Sequence, residues 1–265
     1  MLKQKLDTLQ QKQSTGQKRD YSLTFWRPTV GKQQIRIVPS AINSKNPFTE
    51  LKFYYGITNK VMVSPLNFGE KDPIALFASK LREEYNKENY VLAKKLDAKT
   101  RIFAPVIVRG EEAEGVQMWE FGKEIYEAFL QMAADEEVGD FTDIMNGRDI
   151  KLTTVGPDTT GTPYNRTTIS PSMKQTQLSS DSNSVETWLD DQQNPKETYK
   201  PLPFDDIKAA LQEWLAPEDE EGEITSEPAV GFDDEKSESN YSLSTKEKKS
   251  KVDKFDEMFD DDMPF

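Results

Sequence analysis

The chain contains neither cysteine nor histidine in 265 residues. Without cysteine there is no disulfide and no thiolate nucleophile, and without either residue the usual zinc ligands and the proton shuttle of neutral pH are missing. The absence of cysteine fits a cytosolic setting. No apolar run approaches the roughly 18 residues of a membrane span, and the opening stretch MLKQKLDTLQQKQ lacks the apolar segment of a signal peptide. No glycine-rich phosphate loop of the GxxxxGK type is present, because Gly31-Lys32 has no upstream glycine. Serine and threonine are plentiful but have no histidine base. Asp140, Asp143 and Asp149 flank Gly147 and are the nearest thing to the carboxylates of a Mg²⁺-dependent nuclease. They follow no metal-ligand spacing, so solvated loop carboxylates are the stronger reading, and an enzyme is not expected.

What is present is charge, unevenly placed. Apolar residues make up 35% and charged residues 31%, so part of the chain is expected not to fold. The net charge of −13 hides a basic front: residues 1–109 hold 20 Lys/Arg against 9 Asp/Glu, residues 110–216 hold 8 against 21, and residues 217–265 hold 6 against 17. A basic front half on an acidic protein points to a polyanionic partner, and an acidic tail is able to compete for the same surface.

The pattern divides the chain into residues 1–19, a basic arm; 20–216, a folded core; and 217–265, a polar acidic tail expected to be disordered, with a Lys-rich patch at 246–254. In the arm Leu2, Leu6 and Leu9 recur at helical spacing with Lys3, Lys5 and Lys12 on other faces, too small a stripe to hold an isolated helix. The arm is either a disordered leader or a segment that orders on a partner. Within the core, residues 33–38 alternate as a strand, 51–57 read as an aromatic-rich strand, and Pro73 opens a helix with Ile74, Leu76, Phe77 and Leu81 as its stripe. A basic segment, 94–101, precedes a buried strand at 102–108, where Pro105 requires an edge or a bulge. Residues 116–121 alternate weakly, 122–134 form an amphipathic helix, and 149–155 and 164–169 are strands. Residues 170–203 read as extended or partly ordered, and 204–215 as a short helix able to dock back on the core. Short strands interrupted by helices give a mostly β or α+β class, compatible with an OB-type barrel without selecting it.

Single-strand binders need cations along a groove for phosphates and aromatic faces for bases. Both are interleaved here: Tyr90 before Lys94 and Lys95, Lys99 and Arg101 before Phe103, then Trp119, then Tyr164 beside Arg166, with Arg27, Lys32, Arg36, Lys52, Tyr54 and Tyr55 upstream. Any one aromatic is more often core than platform.

At these residues the sequence resembles the gene 32-type single-stranded DNA-binding proteins of tailed bacteriophages. The similarity runs from about Gln33 to Pro171. It is carried by Ile35-Arg36-Ile37-Val38-Pro39-Ser40, by the Tyr90-to-Arg101 basic segment with extra residues between Lys95 and Lys99, and by Phe103-Ala104 with Val106-Ile107-Val108. Trp119, Phe121-Gly122-Lys123, Ile125-Tyr126 and Tyr164 continue it. The resemblance implies an OB-fold core that coats single strands without sequence preference, a basic arm giving cooperativity through the neighbouring monomer, and an acidic tail that recruits replication proteins. It implies base stacking by Tyr90, Phe103, Trp119 and Tyr164, and phosphate contacts by Lys94, Lys95, Lys99 and Arg101, with Arg36 and Arg166 as further binding candidates and Lys3 and Lys5 in the arm. It also implies the cytoplasm of a bacterial host and roles in replication, recombination and repair.

Two departures stand out. Family members often hold zinc with one histidine and three cysteines, yet residues 62–75 offer none, and Asp72-Pro73-Ile74-Ala75 stands where Cys-Pro-x-Cys is expected. This subdomain is therefore expected to be free of zinc, with no cofactor, and held by Met62, Leu66, Phe68, Ile74 and Phe77. The last residues, Asp260, Asp261, Asp262, Met263, Pro264 and Phe265, resemble instead the C-terminal docking peptide of bacterial single-stranded DNA-binding proteins. An adaptor that binds no nucleic acid and recruits through this tip is the second reading, and a metal-dependent nuclease the third.

Overall fold

A computed structural model describes residues 25–41, 43 and 46–216. Expectations placed on residues 1–19, including Lys3 and Lys5, on the 246–254 patch and on the tip from Asp260 to Phe265 lie outside these residues.

The described strands are β1 (Phe25–Trp26), β2 (Gly31–Ile37), β3 (Thr49–Tyr54), β4 (Met62–Val63), β5 (Lys99–Val108), β6 (Gln117–Phe121), β7 (Gly147–Val155) and β8 (Arg166–Thr176). They form one eight-stranded sheet in the order β1-β6-β5-β2-β7-β8, with β3 added to β5 and β4 to β3. Only the β1–β6 pairing is parallel among the described strands. With its helices this is a mixed α/β fold whose sheet is consistent with an OB-type core.

β5 is the spine, and its sequence sorts by parity. Ile102, Ala104, Val106 and Val108 enter the main core with Ile35, Ile37, Ile150, Leu152, Trp119 and Phe121. The other face carries Lys99, Arg101 and Phe103, opposite Phe53, Leu51 and Thr49 of β3. Pro105 sits in the middle of this strand rather than at a sheet edge. Its missing donor is tolerated because β3 pairing ends at Phe103 and β2 pairing begins at Val106 along the same side. Pro105 still contributes its carbonyl, which accepts from Val38 N at 2.9 Å. The break in the ladder that a proline requires is local to one side of a central strand.

Three helices follow the expected signals. α1 (Pro73–Glu83) has Pro73 in its first turn, is capped by Asp72, and buries Ile74, Phe77, Ala78 and Leu81 at three- and four-residue spacing. Another is α3 (Lys123–Ala134), which plugs the main core with Phe129 and Met132. The C-terminal helix α7 (Phe204–Leu215) docks Ile207, Leu211 and Leu215 against α1 in a separate helical lobe. The rest of that lobe is α2 (Lys87–Lys95), of which the sequence pattern showed only the start of the basic segment at Lys94 and Lys95. Its apolar contribution is only Leu92 and Ala93 on one side, with Leu96 just beyond it.

The polar stretch after β8 is also more ordered than expected. It folds into α5 (Ser182–Asp190) and the single turn α6 (Pro195–Thr198), separated from the one-turn α4 (Pro157–Thr160) by β8 itself. α5 closes over the outer sheet face by packing Trp188, Val185 and Leu189 on Val38, Ile107 and Leu178.

In the helical lobe Met62, Ile74 and Phe77 are buried as expected and Phe68 is half-buried, but Leu66 is 46% exposed. The lobe has a polar knot instead. The buried Asp72 carboxylate accepts from Tyr54 Oη at 2.8 Å, Ser64 Oγ at 2.5 Å, Ile74 N at 3.0 Å and Ala75 N at 3.2 Å. One side chain thus ties β3, the turn after β4 and the start of α1 together, with every donor satisfied.

Candidate nucleic-acid interface

The outer face of β3, β5 and β6 carries an aromatic cluster. Phe53 and Phe103 stand on neighbouring strands, Phe25 enters from β1, and Tyr199, just past α6, closes over all three with ring centroids 4.9, 5.7 and 6.4 Å away. Tyr199 itself is only half-buried, so it forms the outermost layer of this stack.

Beside it lies Arg101. Its Nε donates to Tyr55 Oη at 3.2 Å, its guanidinium sits 5.7 Å from the Tyr55 ring centre, and Glu120 approaches to 3.8 Å. Burial pushes the Glu120 carboxyl above its ordinary range, and Arg101 and Arg27 pull it back. Burial likewise raises the Tyr199 hydroxyl, with the Glu120 charge adding to it, so the phenol stays protonated.

Next to Tyr199 a groove of about 410 Å³ opens between the β3–β4 connection and the segment after α6. Lys60, Val61, Met62, Tyr199, Lys200 and Leu202 line it. Exposed Lys99 starts β5 opposite Phe53, on the same face as the aromatic cluster. Lys94 and Lys95 occupy the exposed last turn of α2, and Tyr90 is 59% exposed one helical turn before Lys94. Cations and the exposed Tyr90 therefore sit on the consecutive elements α2 and β5. Phosphates and bases need that arrangement.

Several expected contacts are displaced by burial. Phe103 is fully buried beneath Phe25, Phe53 and Tyr199, so neither of its faces is open to a base. Trp119 points to the opposite side of the sheet, into the main core against Trp26, Phe121 and Phe129. Arg101 has only 4% of its side chain exposed, so it orients Tyr55 and Glu120 rather than meeting phosphate. Arg36 is wholly buried: it donates to Asp143 O at 2.7 Å and Thr176 O at 2.9 Å and faces Asp149 at 3.5 Å. This approach explains Gly147, where a Cβ would lie 2.3 Å from Arg36 Nη2.

Tyr164 and Arg166 lie together at the β7–β8 connection, with Arg166 paired to Glu124 of α3 at 2.7 Å. Neither lines the groove beside Tyr199. Tyr199, Lys60 and Lys200 were missed as site residues, whereas Tyr55 stood among the upstream aromatics. Tyr199 meets the same criterion as the others, an aromatic flanked by Lys196 and Lys200, but it falls in a stretch read as extended.

The candidate nuclease carboxylates are engaged elsewhere. Asp149 is held by Arg109 at 2.8 Å and Gln34 at 2.8 Å as well as by Arg36. Backbone donors from Asn146 and Met145 hold the Asp143 carboxyl below its usual range. Among the described residues no group of three or more carboxylates is arranged to hold a metal ion.

A sheet consistent with an OB-type core, with a helical lobe and a lysine-rimmed groove beside Tyr199, suits a nucleic-acid-binding protein. A family model described as gp32 DNA binding protein like matches residues 29–213, and the chain belongs to that family of single-stranded DNA-binding proteins. A search of curated proteins finds no match.

Proposed function

We propose that the protein coats single-stranded DNA stoichiometrically, without sequence preference and cooperatively, during the replication, recombination and repair of a phage genome in the host cytoplasm. The observation that carries this reading is the groove beside Tyr199, lined by Lys60 and Lys200 and backed by Phe53, which pairs across the sheet with Lys99. Bases stack on Tyr199 and Tyr90, and the lysines, with Lys94 and Lys95, follow the phosphates. Arg101 and Glu120 fix the Tyr55 ring from behind. The helical lobe works without zinc, because the Asp72 knot ties the strands and helix that a metal would otherwise join.

The test is a titration of full-length protein with single-stranded and duplex oligonucleotides across salt concentrations, with and without Mg²⁺. Single strands are expected to bind more tightly, with log K falling by about 0.7 per phosphate neutralised. Equal affinity for duplex, or binding indifferent to salt, overturns the reading, and Mg²⁺-dependent cleavage would return the nuclease reading.

Replication and repair proteins, of phage or host, dock on the tip from Asp260 to Phe265. The motive is the likeness of that tip to the bacterial docking peptide. Phe265→Ala is expected to abolish capture of such host proteins and leave oligonucleotide affinity unchanged. A variant that still recruits them removes the tip from the account.

A further inference from the structure

A second groove lies away from the lysine-rimmed site and has the opposite sign. It measures about 1000 Å³ and runs between the 111–116 connection and α5. Its floor is apolar, formed by Val116 and Trp188 over buried Leu178. Its rim carries Glu112, Glu114, Asp181 and Asp191. Arg109, its only cation, is bound to Asp149 at 2.8 Å and reaches rim Glu112 only at 4.0 Å. A phosphate backbone is repelled here, and so are the acidic residues that follow Ala216. The fitting occupant is a basic segment with a few aliphatic side chains.

The chain supplies one. Residues 1–19 carry Lys3, Lys5, Lys12, Lys18 and Arg19 against a single acid, Asp7, and their apolar residues are Leu2, Leu6 and Leu9 besides Met1. Their point of attachment is at the groove. β1 runs parallel to β6 with Phe25 opposite Met118, so the first described residue stands at the start of β6, two residues in register past Val116 of the groove wall. The 24 residues before Phe25 span up to roughly 80 Å when extended, far more than the return requires. A short tether of this kind holds its end at millimolar effective concentration.

We propose that in the free protein this acidic groove is the seat of the chain's own basic arm, residues 1–19, held by lysines on the Glu112, Glu114, Asp181 and Asp191 rim and by leucines over Val116 and Trp188. Binding in the groove keeps the arm from any other surface until it is released.

The cysteine-free chain makes the test direct. Full-length protein carrying Gln4→Cys and Ser180→Cys is treated with a short bismaleimide in the absence of DNA, over a range of protein concentrations. The expected product is an internally cross-linked monomer whose yield does not vary with concentration. The yield should fall to that of a control pair, Gln4→Cys with Thr168→Cys, either when Glu112→Lys and Glu114→Lys are added or in 1 M salt, where the screening length is about 3 Å. Both glutamates are exposed, and the salt series needs no further substitution, so loss of fold does not imitate the result. Cross-linked dimers in place of monomers would make a second copy the occupant and overturn the proposal. So would a yield no higher than the control, or one insensitive to both charge reversal and salt. No DNA enters the experiment, so its failure is separate from any failure of single-strand binding.

Discussion

Two grooves share one sheet and differ in almost everything else. The groove beside Tyr199 is rimmed by Lys60 and Lys200 and backed by stacked rings, whereas the one beneath α5 is rimmed by carboxylates and floored by Trp188. The net charge of −13 describes neither. Ligand class follows from which charges the fold gathers, and here it gathers cations around Tyr199 on one side and acids around the apolar floor of Val116 and Trp188 on the other.

The strongest way to break the contrast is to remove what the acidic side is built on. Asp149→Ala leaves Arg36 buried without its counter-charge and Arg109 without its anchor, and is expected to cost about 3–5 kcal/mol of stability. Urea unfolding measures it, and a loss under 1 kcal/mol would mean that water reaches Arg36 after all. A smaller and more specific effect is expected on the other side. Tyr199→Ala should weaken single-strand binding by about 1–3 kcal/mol while Tyr199→Phe holds it, as stacking on one platform requires. Equal losses in both variants would assign the effect to the hydroxyl instead.

The smallest effect is a response to acid. Asp181 caps α5 through Ser184 Oγ and the backbone nitrogens of Asn183 and Ser184, and these bonds hold its carboxyl below the usual range. A depressed carboxylate stabilises the fold above its ordinary value, and that contribution fades as pH falls through the folded value. Trp188 fluorescence in protein lacking the other tryptophans should therefore shift at acid pH, and Asp181→Ala should remove that shift. An identical titration in the variant would place the transition elsewhere.

The sequence showed much of this fold where local chemistry and periodicity agree. Asp72-Pro73 and the stripe through Leu81 announce α1, and the alternation in residues 33–38 announces β2. It failed where a helix has few apolar residues. In α2 the basic spacing of Tyr90, Lys94 and Lys95 obscured the pair Leu92 and Ala93. For the candidate site Tyr90, Lys94, Lys95 and Lys99 were visible in the sequence, and Tyr199, Lys60 and Lys200 were not. Phe103 shares strand parity with Lys99 and Arg101, which puts it on the outer face. What covers it, Phe25 and Tyr199, comes from positions 78 residues upstream and 96 downstream, a pairing no window of sequence contains. Trp119 was separable in principle, since Glu120 beside it marks the outward register of β6 and leaves the tryptophan inward.

Pro105 carries one more consequence. On one side of β5 the ladder to β3 stops at Phe103 and the ladder to β2 starts at Val106, with no amide hydrogen between them to bridge the two. The two ladders are thus mechanically independent zippers on a common rail. Opening the β3 side, and with it the turn that carries Lys60, leaves the β2 side latched. Amide protons of residues 99–103 that face β3 should accordingly exchange as a group of their own, on a clock separate from that of residues 106–108.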